Sequence, residues 1–237
     1  HTLTSRASLF ANYSLGNKAP ELNYYFNTFS GVPIAPDPEV QRIDQFELGF
    51  NNSGKRISTA LVGFYSQLDN FSSNDFAFDD MSGTIFYTPF QNNKVSVLGL
   101  EGEAVFSISQ KFSLSTSFTI QSSKTDRFSV YDANDSIDTS DDTVSDFSGN
   151  KVPHTPGLTL SIRPEFKTGN ITAYATYRYM SARYANAENS FELPGYGTVG
   201  AGIQYNRGRF VLSLDSTNLL NGEGLVNFFG PDSFGSS

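Results

Sequence analysis

From Ile171 to Tyr179 the chain reads Ile-Thr-Ala-Tyr-Ala-Thr-Tyr-Arg-Tyr, large or apolar residues alternating with polar ones, and similar stretches recur along most of its length. A period of two marks a strand with one greasy face and one wet face. The pattern predicts about nine strands, near Leu3–Ser14, Ile43–Phe50, Arg56–Phe71, Leu98–Ile108, Phe112–Gln121, Leu158–Arg163, Ile171–Tyr179, Thr198–Tyr205 and Phe210–Asp215. The clearest is Phe112–Gln121, where Phe112, Leu114, Phe118 and Ile120 alternate with Ser113, Ser115, Ser117, Thr119 and Gln121. In Arg56–Phe71 both faces carry apolar residues, so its orientation stays open.

Between the strands, tight turns alternate with long polar segments. Asn51-Asn52-Ser53-Gly54, Ser109-Gln110-Lys111, Lys167-Thr168-Gly169-Asn170 and Asn206-Arg207-Gly208 read as turns, since Asn and Gly tolerate positive φ. Long connections cover about residues 15–41, 72–94 and 124–154. Connections are therefore short at one end of the meander and long at the other. The fold class is all-β, an antiparallel up-and-down meander. Its apolar face needs a partner, either a second protein sheet or hydrocarbon. Ser, Thr, Gln, Glu and Arg run through mid-strand, as in a wet lumen, and the sorting of loops by end is that of a transmembrane β-barrel. A Greek-key sandwich has no reason to sort its loops this way. In a sandwich, Phe112, Leu114, Leu158, Leu160 and Ile203 would be sealed between two layers.

Composition narrows the choice. Charged residues are only 17% while Phe and Tyr number 22 and 12, poor material for amphipathic helices and good material for strands. No apolar run approaches the roughly 18 residues of a membrane-spanning helix, but a barrel strand needs only about 9–11. A net charge of −8 without a basic cluster excludes an electrostatic nucleic-acid binder. With no cysteine there is no disulfide, thiolate nucleophile or Cys-zinc site.

Candidate chemistry is sparse. Asp132, Asp135, Asp138, Asp141 and Asp142 crowd one long loop, yet their spacing fits no EF-hand and the turn glycine is missing, so a solvated loop is the simpler expectation. Glu101 and Glu103 share one strand face; as a glycosidase pair they lack a cleft that would hold a sugar between them. Lining a lumen, or a salt bridge to a plug within it, suits them better, and Arg163 and Arg178 on polar faces read as lumen-facing too. His154 is too isolated for a multi-histidine metal site. No catalytic constellation emerges, and no cofactor is implied. For ligand contact the candidates are loop aromatics: Tyr24, Tyr25 and Phe26, with Phe29, in one long loop, and Phe86 and Tyr87, with Phe76, Phe78 and Phe90, in another. The alternative is that these rings pack the loops together.

Several segments are similar to the carboxy-terminal half of the TonB-dependent outer-membrane receptors. Ser8–Pro20 resembles the strand ending in that family's Gly-Phe-Arg-Ala-Pro, here Gly16-Asn17-Lys18-Ala19-Pro20. Asp37-Pro38-Glu39 with Phe46-Glu47-Leu48-Gly49 resembles the strand that follows. Gly99-Leu100-Glu101-Gly102-Glu103, Leu193-Pro194-Gly195-Tyr196 and Asn218–Leu225 fit later segments in order. The resemblance implies a roughly 22-stranded barrel with a plugged lumen, in the outer membrane of a Gram-negative bacterium. It implies active uptake of a scarce nutrient such as a siderophore, cobalamin or oligosaccharide. Its partners would be outer-membrane lipid, the receptor's own plug domain, the TonB complex and a small-molecule or oligosaccharide ligand. On this reading residues 1–237 are part of such a barrel, with plug, TonB box and final strand outside the sequence. Other readings are a passive porin-like channel and a soluble β-rich adhesin or carbohydrate-binding module.

Overall fold

The computed structural model describes residues 1–19, 39–73, 76–87, 91–134, 136, 138 and 140–224. In chain order the strands begin with β1 (Thr2–Thr4), β2 (Ala7–Lys18), β3 (Gln41–Ser53), β4 (Ile57–Ser73), β5 (Phe76–Asp79) and β6 (Thr84–Tyr87). Next come β7 (Gln91–Ser107), β8 (Phe112–Arg127), β9 (Ser129–Asp132), β10 (Thr143–Asp146) and β11 (Leu158–Thr168). The last are β12 (Ile171–Met180), β13 (Arg183–Tyr184), β14 (Glu192–Leu193), β15 (Tyr196–Arg207) and β16 (Phe210–Ser216). Ten of these form one antiparallel sheet in the order β1-β2-β3-β4-β7-β8-β11-β12-β15-β16. The pairs β5–β6, β9–β10 and β13–β14 are separate ribbons inside the long connections. Eight of the nine expected strands are present as single strands, most of them longer than expected. The tenth arises because Leu3–Ser14 is not one strand. The chain turns at Ser5-Arg6, where the Thr4 hydroxyl accepts the Arg6 amide at 3.2 Å, and β1 folds back on β2.

The register explains the two-faced pattern. Leu9, Phe50, Leu61, Gly102, Phe118, Leu160 and Tyr179 are successive cross-strand partners over seven strands, all on one face. No second layer covers that face among the described residues: Leu48 is 64% exposed, Leu98 62% and Ile203 47%. Among the described residues the buried apolar side chains are Ala133 and Leu193, and both lie in the long connections. Burying one sheet face is what makes a soluble sandwich stable. Here that apolar face is open, as a barrel wall requires.

Phe10 and Phe64, apolar residues on the polar face, are explained by glycines. Phe10 lies over Gly49 on the neighbouring strand, and Phe64 lies over Gly99. Each ring covers the backbone of a residue without a side chain, so it packs rather than projects. This fixes the orientation of β4: Leu61, Gly63 and Tyr65 share the apolar face, while Ala60, Val62 and Phe64 point the other way.

One turn lies later than expected. Asn51, Asn52 and Ser53 are paired with Ala60, Thr59 and Ser58, and the chain reverses at residues 54–56. The Asn52 side chain donates to the Ile57 carbonyl at 3.1 Å and closes the reversal. Gly54 lacks a positive φ; a side chain there would stand 2.6 Å from the Ile57 carbonyl oxygen. In contrast, Gly169 and Gly208 do have positive φ, 54° and 59°, and each opens a two-residue hairpin turn.

Candidate functional site

The polar face is where this sheet gathers chemistry. A hollow of about 690 Å³ opens there, lined by Glu101, Glu103, Arg178, Ser117, Thr119 and Tyr196 among others. Glu101 and Glu103 are brought together by parity on β7. Thr119 is the cross-strand partner of Glu101, and Ser117 that of Glu103. Arg178 comes from β12, opposite Ser161 on one side and Thr198 on the other. The result is two carboxylates and one guanidinium among the hydroxyls of Ser117, Thr119, Thr159, Ser161 and Thr198, with Ala60, Val62 and Met180 beside them. Tyr196 pairs with Met180 and lines the hollow.

Arg163 is not among the lining residues of that hollow. It sits closer to the short turns, with its guanidinium 3.9 Å from the centre of the Tyr174 ring and 3.6 Å from Glu165. Tyr174 crosses Gly202 and donates its hydroxyl proton to Asp215 on β16. Arg163, Glu165, Tyr174 and Asp215 thus tie β11, β12 and β16 together across β15. Sequence reading missed Tyr174 and Asp215, because their contact depends on an intervening glycine 28 residues beyond the tyrosine. Of the proposed ligand contacts, Tyr24, Tyr25 and Phe26 lie outside the described residues. Phe86 and Tyr87 lie on β6, paired with Ala77 and Phe76 of β5, and their side chains lie outside the description.

The long connections above the hollow are tied to each other. Asn189, in a left-handed conformation at φ 59°, accepts the Lys151 amide at 2.7 Å and donates to the Lys151 carbonyl at 3.0 Å. Asn150 donates to the Ala187 carbonyl at 2.9 Å, and the His154 amide donates to the Tyr184 carbonyl at 2.7 Å. His154, also left-handed at φ 56°, therefore serves through its backbone at this turn. Beneath them the fully buried Thr125 hydroxyl lies 2.8 Å and 2.9 Å from the carbonyls of Phe147 and Asn150. Asn189→Ala removes both Lys151 contacts and leaves alanine in a strained conformation. It is expected to weaken this junction by about 2 kcal/mol, read as faster hydrogen exchange at the Lys151 amide with unchanged exchange in β11 and β12.

In the acidic loop, Asp132, Asp138 and Asp146 turn inward on their own chain. Asp132 accepts the Asn134 amide, Asp138 the Ser140 amide, and Asp146 both the amide and the hydroxyl of Ser148. These bonds, to the Ser140 amide for Asp138 and to the Ser148 hydroxyl first for Asp146, hold both carboxyls below the usual range. Burial, and then the hydrogen bond it donates to Asp142, pushes the Tyr131 hydroxyl up to about 12. Among the described residues no group of three or more His, Asp or Glu side chains is placed to hold a metal ion.

With one open sheet, two opposed faces and loops sorted by end, the comparison with known families is decisive. The profile of the family described as TonB dependent receptor-like, beta-barrel, matches residues 2–221. The chain belongs to that family. Among solved structures it is similar to the copper transporter OprC, with a TM-score of 0.70 at 18% identity over 100% of this chain and 35% of that one. It is also similar to the ferric yersiniabactin uptake receptor FyuA from Yersinia pestis, with a TM-score of 0.64 at 15% identity over 93% and 31%. A third is the ferripyoverdine receptor of the outer membrane of Pseudomonas aeruginosa, with a TM-score of 0.62 at 18% identity over 92% and 28%. At such identities the likeness is one of fold. The TonB-dependent receptor chain described here spans about a third of the length of these structures.

Proposed function

We propose that this chain forms part of the wall of an outer-membrane receptor that takes up a scarce small-molecule nutrient, with a ferric siderophore as the first candidate. The observation that carries the reading is the single sheet whose apolar face is open while its polar face is lined with carboxylates, guanidinium groups and hydroxyls. Family membership and the named substrates of the similar structures support the same assignment. In this role the apolar face meets hydrocarbon. The polar face, with Glu101, Glu103, Arg163 and Arg178, lines a lumen that holds the receptor's plug domain, and TonB supplies the energy. The loop aromatics Tyr24, Tyr25, Phe26, Phe86 and Tyr87 contact the ligand on the outer side. No residue makes or breaks a bond; the chemistry is recognition and passage.

The test is to delete the gene and follow the uptake of labelled ferric siderophores, cobalamin and oligosaccharides under iron limitation. Loss of one of these, restored by the wild-type gene and dependent on TonB, is expected. Normal uptake of every substrate would remove the transport assignment.

A further inference from the structure

The hairpin turns of the ten-stranded sheet lie at one end of it, at Ser5-Arg6 and at residues 54–56, 108–111, 169–170 and 208–209. Arg6, Lys55, Arg56, Lys111, Lys167, Arg207 and Arg209 stand in these turns or within two residues of them. They are seven of the chain's 16 lysines and arginines, and none of its 24 aspartates and glutamates comes as close. Spread along the sequence they form no run of charge; only the pairing of strands collects them. All seven are exposed, and none belongs to an ion pair among the described residues. The nearest carboxylates lie further up the strands. Glu165 shares a face with Lys167, two residues away, and has Arg163 at 3.6 Å; Asp215 accepts the Tyr174 hydroxyl. Glu47 and Glu103 are six and four residues from the strand ends at Ser53 and Ser107.

The cations favour the inner side of the wall. Phe112 pairs with Phe166, and on the next rung the Lys167 amide donates to the Lys111 carbonyl at 2.7 Å, so the two lysines are opposite one another. Both have the parity of Ser113 and Glu165, which is the polar face. Arg56 has the parity of Ala60 and Val62 on that same face, and its carbonyl accepts the Ser107 amide at 2.8 Å. Of the others, Arg207 has the parity of the apolar face, and Arg6, Lys55 and Arg209 are in the reversals themselves. Like charges directly opposite on a ladder repel, so an anion between Lys111 and Lys167 is favoured.

We propose that this rim is a docking surface for an acidic polypeptide segment lying along the turns in extended form. Strands are about 4.8 Å apart, so successive hairpins stand about 10 Å from each other and five of them span about 40 Å. A single phosphate reaches one hairpin or its neighbour. An extended chain of about a dozen residues covers the row, with carboxylates on one side recurring about every 7 Å. The polar-face parity of Arg56, Lys111 and Lys167 favours such a segment over lipid headgroups, which approach from the apolar side. A surface of one sign steers and orients a partner of the other. The inference rests on the outer-membrane reading given above, in which the short turns face the periplasm.

The full receptor is placed in phosphatidylcholine nanodiscs and titrated with a fluorescent peptide of about twelve residues, alternating glutamate and serine, followed by anisotropy. The glutamine–serine counterpart is expected to bind at least about tenfold more weakly. Arg56→Gln, Lys111→Gln and Lys167→Gln combined should weaken the glutamate peptide by about the same factor. Lys94→Gln, Lys124→Gln and Lys151→Gln combined, at the long loops, should leave it unchanged, and Lys111→Arg with Lys167→Arg should keep binding intact. Variants are compared once each is shown to insert as the wild type does. Wild-type affinity in the first triple variant, or an equal loss in the second, overturns the docking surface. So does displacement of the peptide by phosphatidylglycerol in the nanodisc or by inorganic phosphate at matched charge, since headgroups or a small anion would then hold the cations. A receptor that inserts but does not bind the peptide removes this surface alone, whereas one that does not insert removes the membrane reading with it.

Discussion

Arginine in place of Ile162 is expected to cost the membrane-embedded protein about 2–4 kcal/mol. Ile162 is the third of five residues, Leu158, Leu160, Ile162, Pro164 and Phe166, by which β11 contributes to the apolar face. Its partners across the sheet are Thr116 and Tyr177, which offer no counter-charge. A guanidinium at mid-depth must lose its water or draw water into the hydrocarbon, and the side chain is too far from either rim to escape easily. Thr119→Arg, on the neighbouring strand but the opposite face, is the matched control. There the new cation meets Glu101, its partner, in the wet hollow, and stability should move by less than about 0.5 kcal/mol. Both values come from urea titration of the full protein in phospholipid vesicles. Equal penalties at the two positions would mean that the apolar face does not lie against hydrocarbon.

That contrast rests on parity, the feature most legible in the sequence. Alternation places Leu114, Phe118 and Ile120 on one side and Ser115, Ser117 and Thr119 on the other without knowledge of any partner strand. The same parity puts Glu101 and Glu103 together, and by it Tyr196, nine residues before Tyr205, belongs on the polar face. Parity fails where packing depends on a neighbouring strand. The side of β4 that carries Val62 and Phe64 could be settled only by Gly99, 35 residues after Phe64, whose missing side chain accepts the ring. The turn at Asn51-Asn52-Ser53 looked like a reversal because Asn favours turns. The facing residues Ser58, Thr59 and Ala60 are small enough to pair with it, so the ladder continues. The clamp of Asn189 on Lys151 spans 38 residues and has no local signature at all.

Gly202→Val is expected to be among the most damaging substitutions of a small residue in this sheet. A Cβ at position 202 would stand 2.6 Å from an Asp215 carboxylate oxygen and would strike the Tyr174 ring. Tyr174 passes over this glycine to reach Asp215 from a strand not adjacent to β16, so the ring has no second route. Displacing it removes the Asp215 hydrogen bond and takes the Arg163 guanidinium off its ring face, 3.9 Å away. Overpacking of this kind costs about 1–3 kcal/mol, and a hydrogen bond to a carboxylate adds about 1.5–3 kcal/mol. A double-mutant cycle separates the cause from mere loss of a glycine. Tyr174→Ala should carry most of the penalty by itself, and adding Gly202→Val to it should then cost little, because the space is already empty. Gly63→Ala, with open space above it, should be close to neutral in the same assay. If Gly202→Val and Tyr174→Ala instead sum to their separate values, the ring and the glycine are not coupled, and the tie between β12 and β16 is absent.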